Sequence, residues 1–319
     1  MALRSLDNAL PTAMDRPKKV AKVTTTPTKA SVFPEAPRHP GTNDENSAPL
    51  PLPQKNAEQL VEYISSEDLK ALPEPEMRIA NLLEELDFKD WVKVCEALND
   101  VRRLALHHSS LLLPILEKVM LVTVKAMKNP RSALCKTAIM ACADIFRSCG
   151  HHLLLTPEKD SLDNLLLQLL LKASQDKRFV CEEAEKTLQT MATSLSPLPL
   201  LKKLQSYVNH TNLRVRAKAA VAISNCVSNA GIEIMKDFGL AALLQLAAEL
   251  LNDRLPEARE AARSIINSIH GGFLKGMNED SSESSSTAEL WQAFCTSNLS
   301  PISAQSVAKI SFAVEENPQ

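Results

Sequence analysis

The chain contains few of the residues on which β-structure depends. Its 319 residues include only 7 glycines, and aromatic residues account for 4% of them. Tight hairpin turns rely on glycine and strands are enriched in aromatic residues, so this composition disfavours sheets. Apolar runs are short, because none approaches the roughly 18 residues that a transmembrane helix needs, and the N-terminus MALRSLDNAL lacks the apolar core of a signal peptide. We therefore expect a soluble, cytoplasmic protein without membrane contact.

Motifs of catalysis and of metal binding are missing as well. The sequence contains no G-x-x-x-x-G-K-[ST], G-x-G-x-x-G, H-E-x-x-H or G-x-S-x-G. Its seven cysteines form no C-x-x-C pair, and we expect them to be buried apolar residues in a reducing compartment. The adjacent histidines at 107–108 and 151–152 lack the spacing of metal ligands. We expect no enzyme activity, no metal and no cofactor.

A pattern typical of an amphipathic helix recurs five times along the chain. In the clearest copy, residues 211–227, small or apolar residues stand at positions i, i+4, i+7, i+8 and i+11, which is one face of a helix. The alanine at i+4 marks each copy, at intervals of 41, 46, 35 and 43 residues. Helical-pair repeats of the HEAT or armadillo type have a period of about 40–47 residues. The five marker residues are Ala97, Ala138, Ala184, Ala219 and Ala262.

Each marked helix, which we call helix B, is preceded by a second apolar helix, called helix A. The predicted A helices cover residues 76–86, 111–127, 159–174, 197–208 and 232–251. None of them can bury its apolar stripe alone, whereas stacked pairs form one continuous core. The predicted fold is therefore all-α, a solenoid of five to six HEAT-like helical pairs over residues 74–270.

The segments on either side of the repeats have different compositions. Residues 1–55 are rich in Pro, Thr and Lys and are predicted to be disordered; their basic cluster at 16–29 is either attracted to an acidic polymer or simply a solvated linker. Residues 56–73 are predicted to form a short helix (56–65) and a linker. Gly271 and Gly272 are expected to stop the last helix B, with a polar linker over 271–287. Residues 288–319 are predicted to hold a short helix and a tail, where Trp291 either caps the solenoid or binds another protein.

Basic residues recur in the turns that join helix A to helix B. Such turns line up along one edge of a stacked solenoid, and every turn has at least two basic residues. The helix dipole disfavours a cation at a helix N-terminus by about 0.3–1 kcal/mol, so this recurrence indicates a binding edge for an acidic protein surface or a polyanion. The other interpretation is that some arginines brace acidic residues of adjacent repeats. The basic residues are Lys89, Lys93, Lys128, Arg131, Lys177, Arg178, Arg214, Arg216, Arg254 and Arg259.

Trp91 stands at the start of the first helix B, in the polar sequence FKDW. Tryptophan is enriched among the residues that dominate interface energies, which makes Trp91 a candidate anchor for a partner. The alternative is that Trp91 packs against its own helix pair. Beyond Trp91, we expect no aromatic residue to be interleaved with the basic residues of the turns.

Several of these segments have the residue order of a known family. KNPRS at 128–132, DKRFVCEEAEKTL at 176–188 and LPEAREAARSII at 255–266 follow the Asp-Trp turn at 90–91 in a single register. Together they resemble TOG domains, in particular those of CLASP-type and crescerin-type TOG-array proteins, over residues 74–270.

The resemblance implies a flat, paddle-like array that binds αβ-tubulin, free or in the microtubule lattice, through its turns. It implies that the chain regulates microtubule dynamics or organisation and is located on the microtubule cytoskeleton. The basic turns themselves add Lys89 and Lys128 to the residues that the resemblance implies. Those residues are Trp91, Asn129, Arg131, Lys177, Arg178, Arg214, Arg254 and Arg259.

Two other functions remain open at this point. A HEAT-repeat scaffold or adaptor would bind another protein through the concave face of its helices, and Trp91→Ala would leave its function intact. Nucleic-acid binding by the basic edge is disfavoured, because single-stranded nucleic acids are usually bound by aromatic residues placed among basic ones.

Overall fold

The computed structural model describes residues 63–154, 159–280 and 287–315, and within them it contains helices and turns but no strand. The predicted all-α class is therefore confirmed; the predicted disordered tail, 1–55, lies outside the described residues. None of the described helices combines the length and hydropathy that crossing a bilayer requires. The helices are α1 Pro75–Glu85, α2 Trp91–His107, α3 Ser109–Leu112, α4 Leu116–Met127, α5 Ser132–Leu153, α6 Lys159–Ala173, α7 Arg178–Ser194, α8 Pro197–Gln205, α9 Leu213–Asn229, α10 Ile232–Phe238, α11 Leu240–Leu250, α12 Pro256–Asp280, α13 Thr287–Asn298 and α14 Pro301–Glu315.

The five predicted B helices are α2, α5, α7, α9 and α12, and each packs against the next along the chain. All five marker alanines have 0% of their surface exposed. A side chain this small at the same position of every B helix lets successive helices approach closely. The predicted stack of HEAT-like helical pairs is confirmed, and we call the surface formed by these five helices the helix-B face.

Two of the predicted A helices are interrupted. The one predicted at 111–127 begins as α3, passes through a 3-10 turn at Leu113–Ile115 and continues as α4. Pro114 lies in that turn and has no backbone N–H for a helical hydrogen bond. The one predicted at 232–251 is split between α10 and α11 by Gly239, whose φ of 106° suits glycine alone. Both breaks occur at residues that disfavour a continuous helix.

The helix stop predicted at Gly271 and Gly272 is wrong, because α12 continues through both residues to Asp280. A β-carbon at position 272 would lie 3.0 Å from Ile232 Cδ1 and 3.1 Å from Met235 Cε. Gly272 therefore permits a close approach between α10 and α12 rather than ending a helix. The predicted linker over 271–287 is helical as far as residue 280, and residues 281–286 lie outside the described ones.

The C-terminal segment covers the end of the stack. The predicted short helix is confirmed as α13, whereas α14 replaces part of the predicted tail. Trp291 is 1% exposed, and its ring centroid lies 4.9 Å from that of His270 and 5.5 Å from that of Phe273. Its indole N–H donates to Ser311 Oγ at 3.1 Å. Both helices pack on α11 and α12, which confirms the capping interpretation of Trp291.

Ahead of α1, residues 63–72 form a segment that we call the N-terminal strap. Ser66 Oγ donates to Asp144 Oδ1 of α5 at 2.7 Å, and the carbonyl of the buried Leu69 lies 2.7 Å from His107 Nε2 of α2. The strap therefore covers the helix-B face in the first two repeats. The helix predicted at 56–65 falls mostly outside the described residues, and residues 63–65 are not helical.

Candidate partner-binding edge

The A-to-B turns, together with the first residues of each helix B, form what we call the turn edge. In four of its five turns, an Asp or Asn side chain accepts a hydrogen bond from the backbone N–H two residues later, at 2.8 to 3.0 Å. Short acidic and amide side chains favour this turn, and they satisfy N–H groups that a helix start leaves free. The turn therefore fixes the direction of the residues that follow it. The four acceptors are Asp90, Asn129, Asn212 and Asp253.

The first and second turns are joined by Trp91 and Arg131. Trp91 is the first residue of α2 and is half-buried against the core, while the Arg131 guanidinium carbon lies 5.6 Å from the centre of its ring. A cation over an indole at a partly exposed site contributes about 0.5–1 kcal/mol. Trp91 thus packs against its own helix pair, as one interpretation expects, and also holds Arg131 in place at the surface.

The next two turns are linked by hydrogen bonds of their basic residues. Lys177 Nζ lies 2.8 Å from Ser132 Oγ, so the third turn contacts the second. Arg214 Nη1 donates to Asp176 Oδ1 at 2.5 Å, so the fourth turn contacts the third. Both cations remain exposed to solvent, and each links its turn to the neighbouring one.

The fifth turn contacts one arginine of the fourth turn and contains two of its own, Arg254 and Arg259. Arg216 Nε of the fourth turn lies 2.6 Å from the nearly buried carboxylate of Asp253. Arg259 Nη1 donates to the carbonyls of Asp253 and Arg254 at 2.8 and 3.0 Å, which stabilises the turn backbone. The side chain of Arg254 itself is exposed and has no ion pair with any described residue.

The remaining predicted site residues are at the surface. Arg178 donates to Glu182, one turn later in α7, at 2.7 Å, and this contact lowers the pKa of the Glu182 carboxyl from its ordinary value. Both side chains are exposed, so the pair adds little to stability. Lys89 and Lys128 are exposed and, within the described part of the chain, form no ion pair.

The interpretation that arginines brace acidic residues of adjacent repeats therefore holds for Arg214 and Arg216. Their partners, Asp176 and Asp253, lie in the neighbouring turns. Lys136 of α5 also braces an acidic residue of the next repeat, Glu183, at 3.6 Å, but this pair lies outside the turns. The edge combines free cations, braced cations and Trp91.

Two exposed aromatic residues on the turn edge are missed by the sequence analysis. Phe88 in the first turn is 44% exposed, with Lys93 Nζ 5.7 Å from its ring centre. Phe179, the second residue of α7, is 43% exposed. The conclusion that no aromatic residue besides Trp91 is interleaved with the basic ones is thus wrong. The sequences FK at 88–89 and KRF at 177–179 carried this signal.

The helix-B face contains a groove of about 650 Å³ between α7, α9 and α12. Leu188 and Val221 contribute its apolar lining. Lys218 Nζ lies 2.6 Å from Glu185 and also pairs with Glu257. Lys218 thus pairs with two of the three glutamates that line the groove, and the third, Glu182, pairs with Arg178, so few groups remain unpaired for a charged ligand.

Comparison with known proteins identifies the family. The family model described as CLASP N terminal matches residues 100–288. The mouse protein "TOG array regulator of axonemal microtubules protein 1" is 27% identical over 213 residues, which are 64% of this chain and 12% of that protein. The human protein of the same name is 29% identical over 136 residues, 43% of this chain and 8% of that protein. The chain thus spans about a tenth of the length of these relatives.

Solved structures share the fold. A TOG domain of C. elegans Zyg9 has a TM-score of 0.55 at 15% identity, covering 82% of this chain and 94% of that one. The structure titled "Structural Basis of Microtubule Plus End Tracking by XMAP215, CLIP-170 and EB1" has a TM-score of 0.52 at 14% identity, covering 77% and 94%. The helical-pair stack is thus that of a TOG domain, and since the family model covers more than half of the sequence, the chain belongs to the CLASP N-terminal family.

Proposed function

We propose that this chain binds αβ-tubulin, as the free dimer or in the microtubule lattice, through its turn edge, and so regulates microtubule dynamics or organisation at cytoplasmic microtubules. Membership of the CLASP N-terminal family supports this, as does the similarity to proteins named as regulators of axonemal microtubules. The observation that carries the proposal is the group of exposed cations in the first, second and fifth turns that form no ion pair with the described residues, namely Lys89, Lys128 and Arg254.

The braced residues of the turn edge would contribute by fixing its geometry before the partner arrives. Ordering a long side chain on binding costs about 0.5–1.5 kcal/mol. Arg131 is already held over Trp91, and Arg214 is already bonded to Asp176. Less side-chain entropy is then lost when these residues meet carboxylates of the partner.

The adaptor alternative receives less support. The N-terminal strap already covers the helix-B face in the first two repeats, through Ser66 and Leu69. The groove of the later repeats is lined by charges that pair with one another around Lys218. A partner on this face would have to displace these contacts.

The test is co-sedimentation of the full chain with microtubules, together with gel filtration with free tubulin, at low and moderate salt. We expect the double variant Lys128→Glu/Arg254→Glu to lose most of the binding. The matched control, Lys118→Glu/Lys309→Glu, makes the same charge change at exposed positions of α4 and α14 and should bind as the unmodified chain does. Absence of binding by the unmodified chain, or an equal loss in the control, would refute the proposal.

A further inference from the structure

Phe88 and Phe179 expose large apolar surfaces at the turn edge. In a helix, the Cα–Cβ bond is tilted toward the N-terminus, so the Cβ of Phe179, the second residue of α7, points toward the turns. Phe88 lies in the first turn, where Lys93 is the cation over its ring, at 5.7 Å. Both residues remain more than two-fifths exposed, so a partner that covered their rings would remove apolar surface from water, which is favourable.

Charges of both signs surround these rings. Phe88 follows Asp87 and precedes Lys89, and Phe179 follows Lys177 and Arg178. Asp87 is exposed and pairs with Lys125 at 2.5 Å. A surface for a bare polyanion would favour cations without acidic neighbours, since its affinity comes from neutralising phosphates or carboxylates. Aromatic residues with Arg and a polar rim are the typical composition of a contact with a folded protein.

We propose that Phe88 and Phe179 are apolar contact residues of the turn edge, and that they pack against apolar side chains of the partner that lie beside its carboxylates. This rests on the proposed function, in which that partner is tubulin, and it adds two aromatic contacts, in the first and third turns, to the basic residues and Trp91. Binding would then depend on two kinds of contact. The cations supply attraction that salt screens, and the two rings supply contacts that salt leaves largely unchanged.

The test measures the affinity of the full chain for tubulin at low and moderate salt. Phe88→Ser, Phe179→Ser and the double variant are compared with Met77→Ser and Ile302→Ser, which remove large apolar side chains that are 70% and 80% exposed away from the turn edge. We expect the double variant to bind about tenfold or more weakly at both salt concentrations, and the two controls to bind normally. Phe179→Leu, which keeps an apolar side chain, should retain more affinity than Phe179→Ser.

The outcomes separate this inference from the proposed function. If the double phenylalanine variant binds normally while Lys128→Glu/Arg254→Glu does not, the apolar contacts are refuted and the basic edge stands. If the unmodified chain binds no tubulin, both fail. Equal binding of a poly-glutamate peptide, which offers no apolar side chain, or of a single-stranded oligonucleotide would also refute the apolar contacts. Circular dichroism and thermal unfolding identify any variant with a damaged fold. If Phe179→Ser is damaged, the affinity of Phe179→Leu is compared with that of the unmodified chain instead.

Discussion

Arg102 and Asp144 form an ion pair that is almost entirely closed to solvent, with Nε and Oδ2 2.7 Å apart and 1% and 0% of the side chains exposed. It joins helix B of the first repeat to that of the second. Arg147 donates to the other carboxylate oxygen at 2.6 Å, and Ser66 of the N-terminal strap donates to it at 2.7 Å. A buried pair is favourable only when such additional hydrogen bonds satisfy it. The strap therefore completes the ion pair as well as covering the helix-B face.

Removing one partner of this pair should destabilise the fold strongly. Asp144→Ala leaves the buried Arg102 guanidinium without its counter-charge, and we expect the free energy of unfolding to fall by about 3–5 kcal/mol. Denaturant unfolding measures it. The control is Asp87→Ala, which removes an exposed pair with Lys125 and should change stability by less than about 1 kcal/mol. Equal effects of the two substitutions would contradict the buried role of Asp144.

Replacement of Ser66 tests the strap separately. Ser66→Ala removes a hydrogen bond to a charged group, which is worth about 1.5–3 kcal/mol. Hydrogen exchange should become faster in residues 63–72 before it changes in α2 and α5. Ser65→Ala, which removes a hydroxyl bonded only to the neighbouring acids Glu67 and Asp68, should leave exchange nearly unchanged. Unaltered exchange in the Ser66 variant would mean that other contacts hold the strap.

The adjacent glycines of α12 should respond in opposite directions. Nothing lies within 4 Å of a β-carbon built at Gly271, so Gly271→Ala should stabilise the helix by about 0.5–1 kcal/mol. At Gly272, the larger side chain of Gly272→Val would collide with Ile232 and Met235 and should cost about 1–3 kcal/mol. Thermal unfolding of both variants tests the continuous α12. If the helix ended at residue 271, Gly271→Ala would not stabilise the protein and Gly272→Val would not destabilise it.

Cys181 should be the most reactive thiol of the native protein. The structure describes all seven cysteines, and Cys181 alone is not buried. Partial burial, with the nearby Glu185 carboxylate, raises the pKa of its thiol, while burial raises the pKa of Cys226 to about 12. Because the thiolate is the nucleophile, alkylation of Cys181 should be slower than that of a free cysteine at pH 8 and should accelerate as the pH rises.

A count of modified thiols by mass spectrometry checks this, with Cys181→Ser as the control that should leave no fast site. More than one fast thiol in the unmodified protein would show that the core opens readily.

The stack of helical pairs could be predicted from the sequence because each helix B buries a small residue at the same position. Ala138 and Ala219, for example, occupy equivalent positions, and local periodicity is enough to find them. The close approach at Gly272 could not be predicted, since it depends on Ile232, in another helix. The pair of Ser66 and Asp144 joins residues 78 positions apart, and no local pattern relates them.

At the turn edge, the positions of the basic residues were predicted, but their partners were not. Whether an arginine is free, as Arg254 is, or braced, as Arg214 is, depends on the neighbouring turn. Phe88 and Phe179 were visible in the sequence, yet only the structure distinguishes an exposed ring from one in the core.

The position of Ser66 also has a consequence for how the chain is made. Ribosomes extend a chain at roughly 5–20 residues per second, so Asp144, 78 residues later, follows Ser66 by roughly 4–16 seconds. During that interval α2 can form and the strap can contact it through Leu69 and His107, but Arg102 still lacks the carboxylate of Asp144. The ion pair between the first two repeats therefore cannot close until this part of α5 has been made, and we expect the first repeat to stay accessible to chaperones and proteases until then.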